Sequence, residues 1–162
     1  MSQEIERKFL VTGEGWRALA PAVTYRQGYL SLDKERTVRV RTAGERAYLC
    51  VKGITRGCTR LEFEYEIPMA DALEMLEKLA IRPIIVKNRT RAEVAGRIWE
   101  IDEFFGENAG LVIAEVELPD ETVPLVKPDW IGKEVSDDPR YYNACLQSAP
   151  YASWPENQPK DH

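Results

Sequence analysis

The chain alternates apolar and charged residues over most of its length, which is the pattern of half-buried β-strands. Residues two apart in a strand lie on the same face of a sheet, so this period separates an apolar face from a polar one. The pattern, together with the glycine-containing turns between its segments, predicts eight strands. They cover residues 3–11, 23–32, 36–43, 46–53, 59–67, 84–95, 97–105 and 111–118.

One segment has the period of a helix instead. Between Ala70 and Ala80, leucine and alanine recur at a spacing of three and four residues, with Pro68 before the segment and Pro83 after it. This spacing predicts an amphipathic helix. Further helices are predicted over Pro139–Ser148, Gly15–Ala20 and Thr122–Val126.

Length and composition indicate one soluble globular domain. The chain has 162 residues, of which 44% are hydrophobic and 30% charged, and single domains contain roughly 100–200 residues. The sequence shows no internal repeat and no linker. We therefore expect one domain over residues 1–148 and, because prolines and polar residues follow, a loosely held tail over residues 149–162.

The balance of charge excludes several classes of partner. Lys and Arg total 22 against 27 Asp and Glu, which gives a net charge of −5, whereas nonspecific binding to nucleic acid or anionic lipid needs a basic surface. The apolar runs are too short to cross a membrane, and the charged first residues are unlike a signal peptide. We expect no nucleic-acid partner, no membrane association and a cytoplasmic protein.

Two residue types exclude further chemistry. The only histidine is His162, the last residue, which excludes Ser-His-Asp and Cys-His catalysis and histidine metal ligands. Three cysteines, Cys50, Cys58 and Cys145, form no CxxC motif, and their odd number indicates neither a disulfide framework nor a cysteine zinc site. We expect them to be small core residues or a surface thiol.

In seven of the eight predicted strands the polar face is almost purely ionic, and acids and bases are segregated by strand. For any one strand, the simplest explanation is an antiparallel sheet with one wet face. The whole set favours an α+β fold in which eight antiparallel strands form a closed β-barrel, a tunnel with a charged lumen, and flanking helices cover its apolar exterior. The predicted lining holds eight acids and six bases: Glu4, Glu6, Glu62, Glu64, Glu100, Asp102, Glu115, Glu117, Lys8, Arg39, Arg41, Lys52, Lys87 and Arg89.

A lumen with both signs of charge predicts a ligand with both signs. Neighbouring Glu-x-Glu pairs repel one another and raise their own pKa values, and a hard divalent cation such as Mg²⁺ or Mn²⁺ relieves that repulsion. The basic side chains need an anion with many oxygens, and guanidinium groups bind phosphate oxygens two at a time. A single Glu-x-Glu pair is more often a solvated face, but several pairs beside basic strands indicate a polyphosphate bridged to a metal.

The ordered motifs resemble the CYTH family, the triphosphate tunnel metalloenzymes. The N-terminal segment EIERKFLV carries the ExExK signature at Glu4, Glu6 and Lys8. The resemblance continues to about residue 148 through RQGYL, VRVR, VKG, RLEFEYEIP, VKNR, WEIDEF, AEVEL and IGKEVSDDPRYYNACL. It implies an eight-stranded antiparallel tunnel and metal-dependent chemistry on triphosphate groups.

The resemblance also implies a role for each matching residue. The implied ligands of Mg²⁺ or Mn²⁺ are Glu4, Glu6, Glu115 and Glu117. The implied phosphate-binding residues are Lys8, Arg39, Arg41, Lys52, Lys87 and Arg89. Implied catalytic residues are Lys8, Lys87, Asp102, Glu62 and Glu64, the last three as second-metal ligands, as partners of the basic side chains, or as groups that orient or deprotonate the water.

The implied reaction is hydrolysis of inorganic triphosphate to pyrophosphate and phosphate by in-line attack of water. The short chain is most similar to the small bacterial inorganic triphosphatases of the family. Nucleoside or thiamine triphosphate hydrolysis and a CYTH-type adenylate cyclase remain alternatives, because the shared motifs do not choose among substrates. A non-catalytic polyphosphate-binding module is the alternative from another class, and a monomer and a homodimer are equally consistent with the sequence.

Overall fold

A computed structural model describes residues 5–54, 61–119, 122–141, 146 and 149–154, and within these ranges the chain forms nine β-strands and one α-helix. The strands are β1 Ile5–Val11, β2 Ala22–Ser31, β3 Arg36–Ala43, β4 Arg46–Gly53, β5 Glu62–Ile67, β6 Ile85–Val94, β7 Arg97–Phe104, β8 Val112–Leu118 and β9 Ile131–Glu134; the helix is α1 Met69–Lys78. The eight predicted strands are confirmed, and their observed ends differ from the predicted ends by at most three residues. Residues 3–4 and 59–60, at the start of two predicted strands, lie outside the described residues.

The helix predictions have mixed outcomes. The predicted helix after Pro68 is confirmed as α1, with Asp71 in its first turn and Lys78 in its last turn, where each charge complements the helix dipole. The segment from Gly15 forms one 3-10 turn, Gly15–Ala18. Among the described residues, no helix combines the length and the apolar character needed to cross a lipid bilayer.

The helix predicted over Thr122–Val126 is wrong, since no helical residue occurs there. Pro124 lies in the middle of that segment, and a proline removes a backbone donor and restricts the preceding residue to extended conformations. Of the helix predicted over Pro139–Ser148, the structure describes a 3-10 turn at Pro139–Tyr141 and one α-helical residue, Leu146. Residues 142–145 and 147–148 of that prediction lie outside the described residues.

The chain divides into two compact units. The first unit comprises Met1–Val23 and Lys87–His162, and the second comprises Thr24–Val86. The antiparallel strand order is β6-β7-β8-β1-β9 in the first unit and β5-β4-β3-β2 in the second. Each unit has its own hydrophobic cluster on the apolar face of its strands.

The core of the first unit is built around aromatic side chains. Trp99 in β7 and Phe9 in β1 are completely buried and meet edge to face, with ring centroids 5.6 Å apart. Trp16 of the 3-10 turn and Trp130, which lies just before β9, pack against the same cluster. Burial of each large apolar side chain contributes roughly 1.5–3 kcal/mol. The apolar face of the first unit is thus covered by connecting segments that carry Trp16 and Trp130. The sequence predicts flanking helices there instead.

The core of the second unit lies between α1 and its strands. Leu76 of α1 packs with Val40 of β3 in the buried cluster. Gly28 in β2 permits this close approach, because a Cβ atom at that position would lie 2.8 Å from the Cβ of Ala80 and 3.0 Å from a methyl group of Leu76. The helix consequently occupies the apolar face of the second unit and leaves the opposite face to polar side chains.

Strand β9 is absent from the sequence-based prediction. It is only four residues long and contains Gly132, so its alternation is too short to recognise. It pairs with β1 and is held there by Arg7, which donates two hydrogen bonds of 2.9 and 2.6 Å to the carboxylate of Glu134.

The described part of the predicted tail is packed. The backbone N–H of Tyr151 donates a 2.9 Å hydrogen bond to the buried side chain of Asn108. Trp154 is 5% exposed and meets the ring of Tyr141 edge to face, with centroids 5.1 Å apart. Residues 155–162 of the predicted tail lie outside the described residues.

The pairing of Arg7 and Glu134 predicts a small, acid-sensitive contribution to stability. Hydrogen bonds from Arg7, and in second place from Ser136, lower the pKa of Glu134 to about 2. A carboxylate with a lowered folded-state pKa stabilises the protein above its unfolded-state pKa, and this contribution is lost as the pH falls toward 2. Because the pair is partly exposed, we expect Glu134→Gln to lower the free energy of unfolding at pH 7 by only about 0.5–1 kcal/mol.

Urea unfolding at several pH values measures this difference between the wild type and Glu134→Gln. The difference should shrink as the pH falls from 5 toward 2, because the wild-type carboxylate then becomes protonated. A difference that stays constant over this range would contradict the assignment.

Candidate active site

In the first unit, one face of the strands carries the charged side chains. Residues directly opposite each other in an antiparallel pair project to the same side of the sheet. Lys8 lies opposite Glu115, which lies opposite Glu100 on its other side. We call this surface the first charged face, and it holds these residues of the predicted lining: Glu6, Lys8, Lys87, Arg89, Glu100, Asp102, Glu115 and Glu117.

Three carboxylates from two neighbouring strands lie together on the first charged face. Glu6 is opposite Glu117, and its carboxyl group is close enough to that of Glu115 to donate or accept a hydrogen bond when one of the two is protonated. The pKa of Glu6 is raised, first by partial removal from water and then by the negative charge of Glu115, while the positive charge of Lys8 acts in the opposite direction. These carboxylates therefore repel one another, and a bound cation would relieve the repulsion.

A cavity of about 400 Å³ opens beside these carboxylates. Its lining includes Glu6, Glu115 and Glu117 together with the guanidinium-bearing Arg91 and Arg97. The volume lies in the range of small-molecule binding sites. Sequence reasoning missed both arginines, although Arg91 follows Arg89 by two residues and so shares its face.

Lys87, Arg89 and Asp102 form a buried ionic cluster on the same face. The ammonium of Lys87 lies 3.0 Å from one oxygen of Asp102, and the Nε of Arg89 lies 2.7 Å from the other. Arg89 also pairs with Glu100 at 2.9 Å. The side chains of Lys87 and Asp102 are only 3% and 5% exposed, so both charges depend on these partners.

Burial acts on the pKa values of both ends of this cluster. Burial alone would raise the pKa of Asp102, but the hydrogen bonds from Arg89 and the positive charges of Lys87 and Arg89 outweigh it, so the pKa is lowered. The pKa of Lys87 is also lowered, mainly because its ammonium is removed from water. Asp102 is consequently a carboxylate at neutral pH that is already engaged by two cations.

Lys8 is the remaining predicted phosphate-binding residue of this face. Its ammonium lies 3.1 Å from an oxygen of Glu115, with side chains that are 13% and 20% exposed. The structure thus brings every predicted site residue of the first unit to one face, apart from Glu4. Glu4 lies outside the described residues.

The second unit carries its predicted site residues on one face as well. Cross-strand pairing places Arg39, Arg41, Lys52, Glu62 and Glu64 on the face opposite to α1, which we call the second charged face. An Nη of Arg41 donates a 2.9 Å hydrogen bond to Glu64, and Lys52 pairs with Glu62 at 3.6 Å.

Cys50 also lies on the second charged face, between Arg39 of one neighbouring strand and Glu64 of the other. It is 2% exposed, and its sulfur lies 3.9 Å from an oxygen of Glu62. The sequence-based expectation of a small buried residue is confirmed, but its place among the charged side chains was missed. The signal was available, because Cys50 precedes Lys52 by two residues. Cys58 and Cys145 lie outside the described residues.

The chain is similar in sequence to a known family and to two inorganic triphosphatases. The chain matches the CYTH domain family over residues 2–142. It is 53% identical over 156 residues to an inorganic triphosphatase of Acetivibrio thermocellus, with 96% of this chain and 100% of that protein covered. It is 34% identical over 151 residues to an inorganic triphosphatase of Nitrosomonas europaea, with 88% and 95% covered.

A solved structure agrees with these similarities. The crystal structure of the inorganic triphosphatase NE1496 matches this fold with a TM-score of 0.76 and 32% identity, covering 91% of this chain and 95% of that one. The predicted family and fold class are thereby confirmed. By its sequence, its antiparallel strands and the charged residues they carry, this chain belongs to the CYTH family.

Proposed function

We propose that this chain is a divalent-metal-dependent inorganic triphosphatase, which hydrolyses tripolyphosphate to pyrophosphate and phosphate. The observation that carries the proposal is the cluster of three carboxylates, from Glu6, Glu115 and Glu117, beside a cavity of about 400 Å³. Arginine side chains line the same cavity. A site with both acidic and basic side chains suits a polyphosphate anion that has a divalent cation bound to it. The two inorganic triphosphatases at 53% and 34% identity support the same substrate.

The carboxylates of the first charged face fit a hard divalent cation. They are all-oxygen ligands, and the raised pKa of Glu6 reflects a repulsion that such a cation removes. Glu6, Glu115 and Glu117 would hold Mg²⁺ or Mn²⁺, and the ExExK resemblance adds Glu4. When bound, the cation supplies neutralisation of phosphate charge and a lower pKa for a coordinated water.

The basic residues bind and orient the phosphate groups. Phosphoryl transfer depends on positioning and on charge stabilisation more than on covalent help from the protein. On the first charged face, Lys8, Lys87 and Arg89 donate to phosphate oxygens. The family resemblance adds Arg39, Arg41 and Lys52 of the second charged face to the same role.

The acids paired with these bases act as positioning residues in this proposal. Both oxygens of Asp102 accept hydrogen bonds or ion pairs from Arg89 and Lys87, which leaves it a poor proton acceptor. Asp102 instead fixes the direction of the two cations. Glu62 and Glu64 hold Lys52 and Arg41 in the same way.

A phosphate-release assay over a panel of substrates tests the proposed function. We expect rapid release from tripolyphosphate with Mg²⁺ or Mn²⁺, little release from pyrophosphate, and none in EDTA. Faster turnover of ATP or thiamine triphosphate would replace the proposed substrate, and cyclic AMP formed from ATP would indicate a cyclase. Tight retention of tripolyphosphate without turnover would indicate a binding module.

A further inference from the structure

Gln27 in β2 is a buried polar residue that the proposed mechanism does not use. Its side chain is 4% exposed, and its Nε2 atom has no hydrogen-bond partner in the part of the chain that the structure describes. Gln27 lies directly opposite Arg41 of β3, which places it on the second charged face. An unpartnered buried amide is uncommon, since most buried polar groups are hydrogen-bonded.

Two guanidinium groups on the neighbouring strand share this feature. The Nε atoms of Arg39 and Arg41 are buried and have no hydrogen-bond partner among the described residues. Arg41 is fixed in place, because it donates to Glu64 and its guanidinium carbon lies 5.0 Å from the ring centre of Tyr48. Adjacent positions of β2 and β3 thus present three unsatisfied donors on one face.

The chemistry of these donors defines what would satisfy them. All three are N–H groups, so the missing partner is an acceptor, and two of them carry positive charge, so an anion with several oxygens fits best. The apolar face of the same strands offers no alternative, because Gly28 packs there against α1.

We propose that Gln27 is a substrate-binding residue whose Nε2 donates a hydrogen bond to an oxygen of the phosphate bound by Arg39 and Arg41. The proposal rests on the proposed function, because it names a residue for binding the same triphosphate. A neutral amide adds a directional hydrogen bond without adding a third positive charge beside two guanidinium groups. A carboxylate at this position would instead neutralise the two arginines and repel phosphate.

Direct binding of tripolyphosphate to the full chain tests the role of Gln27. Isothermal titration calorimetry in EDTA measures the Kd without metal-dependent turnover. Methionine has a similar size to glutamine and lacks the donor, so Gln27→Met should raise the Kd about tenfold or more, which is the usual effect of losing a hydrogen bond to a charged group.

The stability of the ligand-free protein distinguishes this role from a structural one. Gln27→Met replaces an unpartnered buried amide by an apolar group, so we expect a Tm equal to or above that of the wild type. A glutamine that served the fold would show the opposite, a lower Tm. Weakened binding with an undiminished Tm therefore supports the proposal, and a lower Tm with an unchanged Kd overturns it.

A second variant and a matched control complete the experiment. Gln27→Glu keeps the shape and should weaken binding more than Gln27→Met. If the methionine variant does not fold, the Kd of Gln27→Glu compared with that of the wild type decides. Thr42→Val alters a buried polar side chain of β3 that points to the opposite face and accepts a 3.3 Å hydrogen bond from the backbone of Arg26. It should lower the Tm and leave the Kd unchanged.

The outcomes separate this inference from the proposed function. Gln27-dependent binding of tripolyphosphate by a wild type that hydrolyses no triphosphate would support the inference and refute the enzyme. Hydrolysis by the wild type together with unchanged binding by both Gln27 variants would overturn the inference and leave the enzyme. Absence of tripolyphosphate binding to the wild type in EDTA would also overturn the inference.

Discussion

Replacing Glu115 by glutamine is expected to lower kcat for tripolyphosphate by about a hundredfold to a thousandfold, the usual cost of removing a group that stabilises transition-state charge. Glu115 lies beside Glu6 on the first charged face and pairs with Lys8 at 3.1 Å. The amide keeps the size of the side chain and removes its charge. The loss of rate therefore reports the removed charge, which serves the cation and pairs with Lys8, and not a change in packing.

Rates measured over a range of Mg²⁺ and Mn²⁺ concentrations check this expectation. The variant should need more metal for its residual activity, because one anionic ligand is gone. Glu134→Gln is the matched control, since it removes a carboxylate that pairs with Arg7 away from the first charged face. A Glu115→Gln enzyme with wild-type rate and metal requirement would show that the cation is not bound here.

Replacing Asp102 by asparagine is expected to lower the free energy of unfolding by about 3–5 kcal/mol, because removal of one partner leaves buried charge without compensation. Lys87 and Arg89 both depend on Asp102, at 3.0 and 2.7 Å. For a chain of this length, the change corresponds to a decrease in Tm of roughly 6–20 °C. Activity should fall as well, because the two cations lose the group that directs them.

The effect of Asp102→Asn should depend on pH in a defined direction. The pKa of Asp102 is lowered in the folded protein, so its contribution is fully present above the unfolded carboxyl value of about 3.9 and is lost below it. Urea unfolding should show the largest difference near neutral pH and a smaller one in acid. Asp138→Asn, which breaks a surface pair with Arg140, should cost less than about 1 kcal/mol; equal losses for both variants would refute the buried role.

Alternation predicts which residues share a face but not which strands are neighbours. The sequence places Glu6 with Lys8, and Glu115 with Glu117, because a period of two is a property of any strand. That β1 lies beside β8 is a contact between residues more than 100 positions apart, and no local pattern indicates it. The closeness of Glu6 and Glu115 follows from this pairing of strands. The raised pKa of Glu6 therefore could not be predicted from the sequence.

Residue type misled the sequence interpretation where position alone would have succeeded. Cys50 shares a face with Lys52 by the same count of two, but a thiol does not continue an ionic pattern. Gln27 is different, because its neighbours at a count of two are Tyr25 and Tyr29, and only the pairing of β2 with β3 brings it beside Arg41. The covering of the first unit was missed for a different reason. A helix was predicted over Thr122–Val126, but Pro124 and Pro128 do not fit a helix interior, and the segment before Trp130 is neither helix nor strand.

The distribution of tryptophan makes the two units optically distinct. Trp16, Trp99, Trp130 and Trp154 all belong to the first unit, and residues 24–86 contain tyrosine but no tryptophan. Indole fluorescence, excited selectively, therefore follows the loss of the first core alone, whereas far-ultraviolet circular dichroism records the strands and helix of both. Superimposable transitions from the two signals would establish that the units melt as one cooperative body, and separate transitions would assign an independent stability to each.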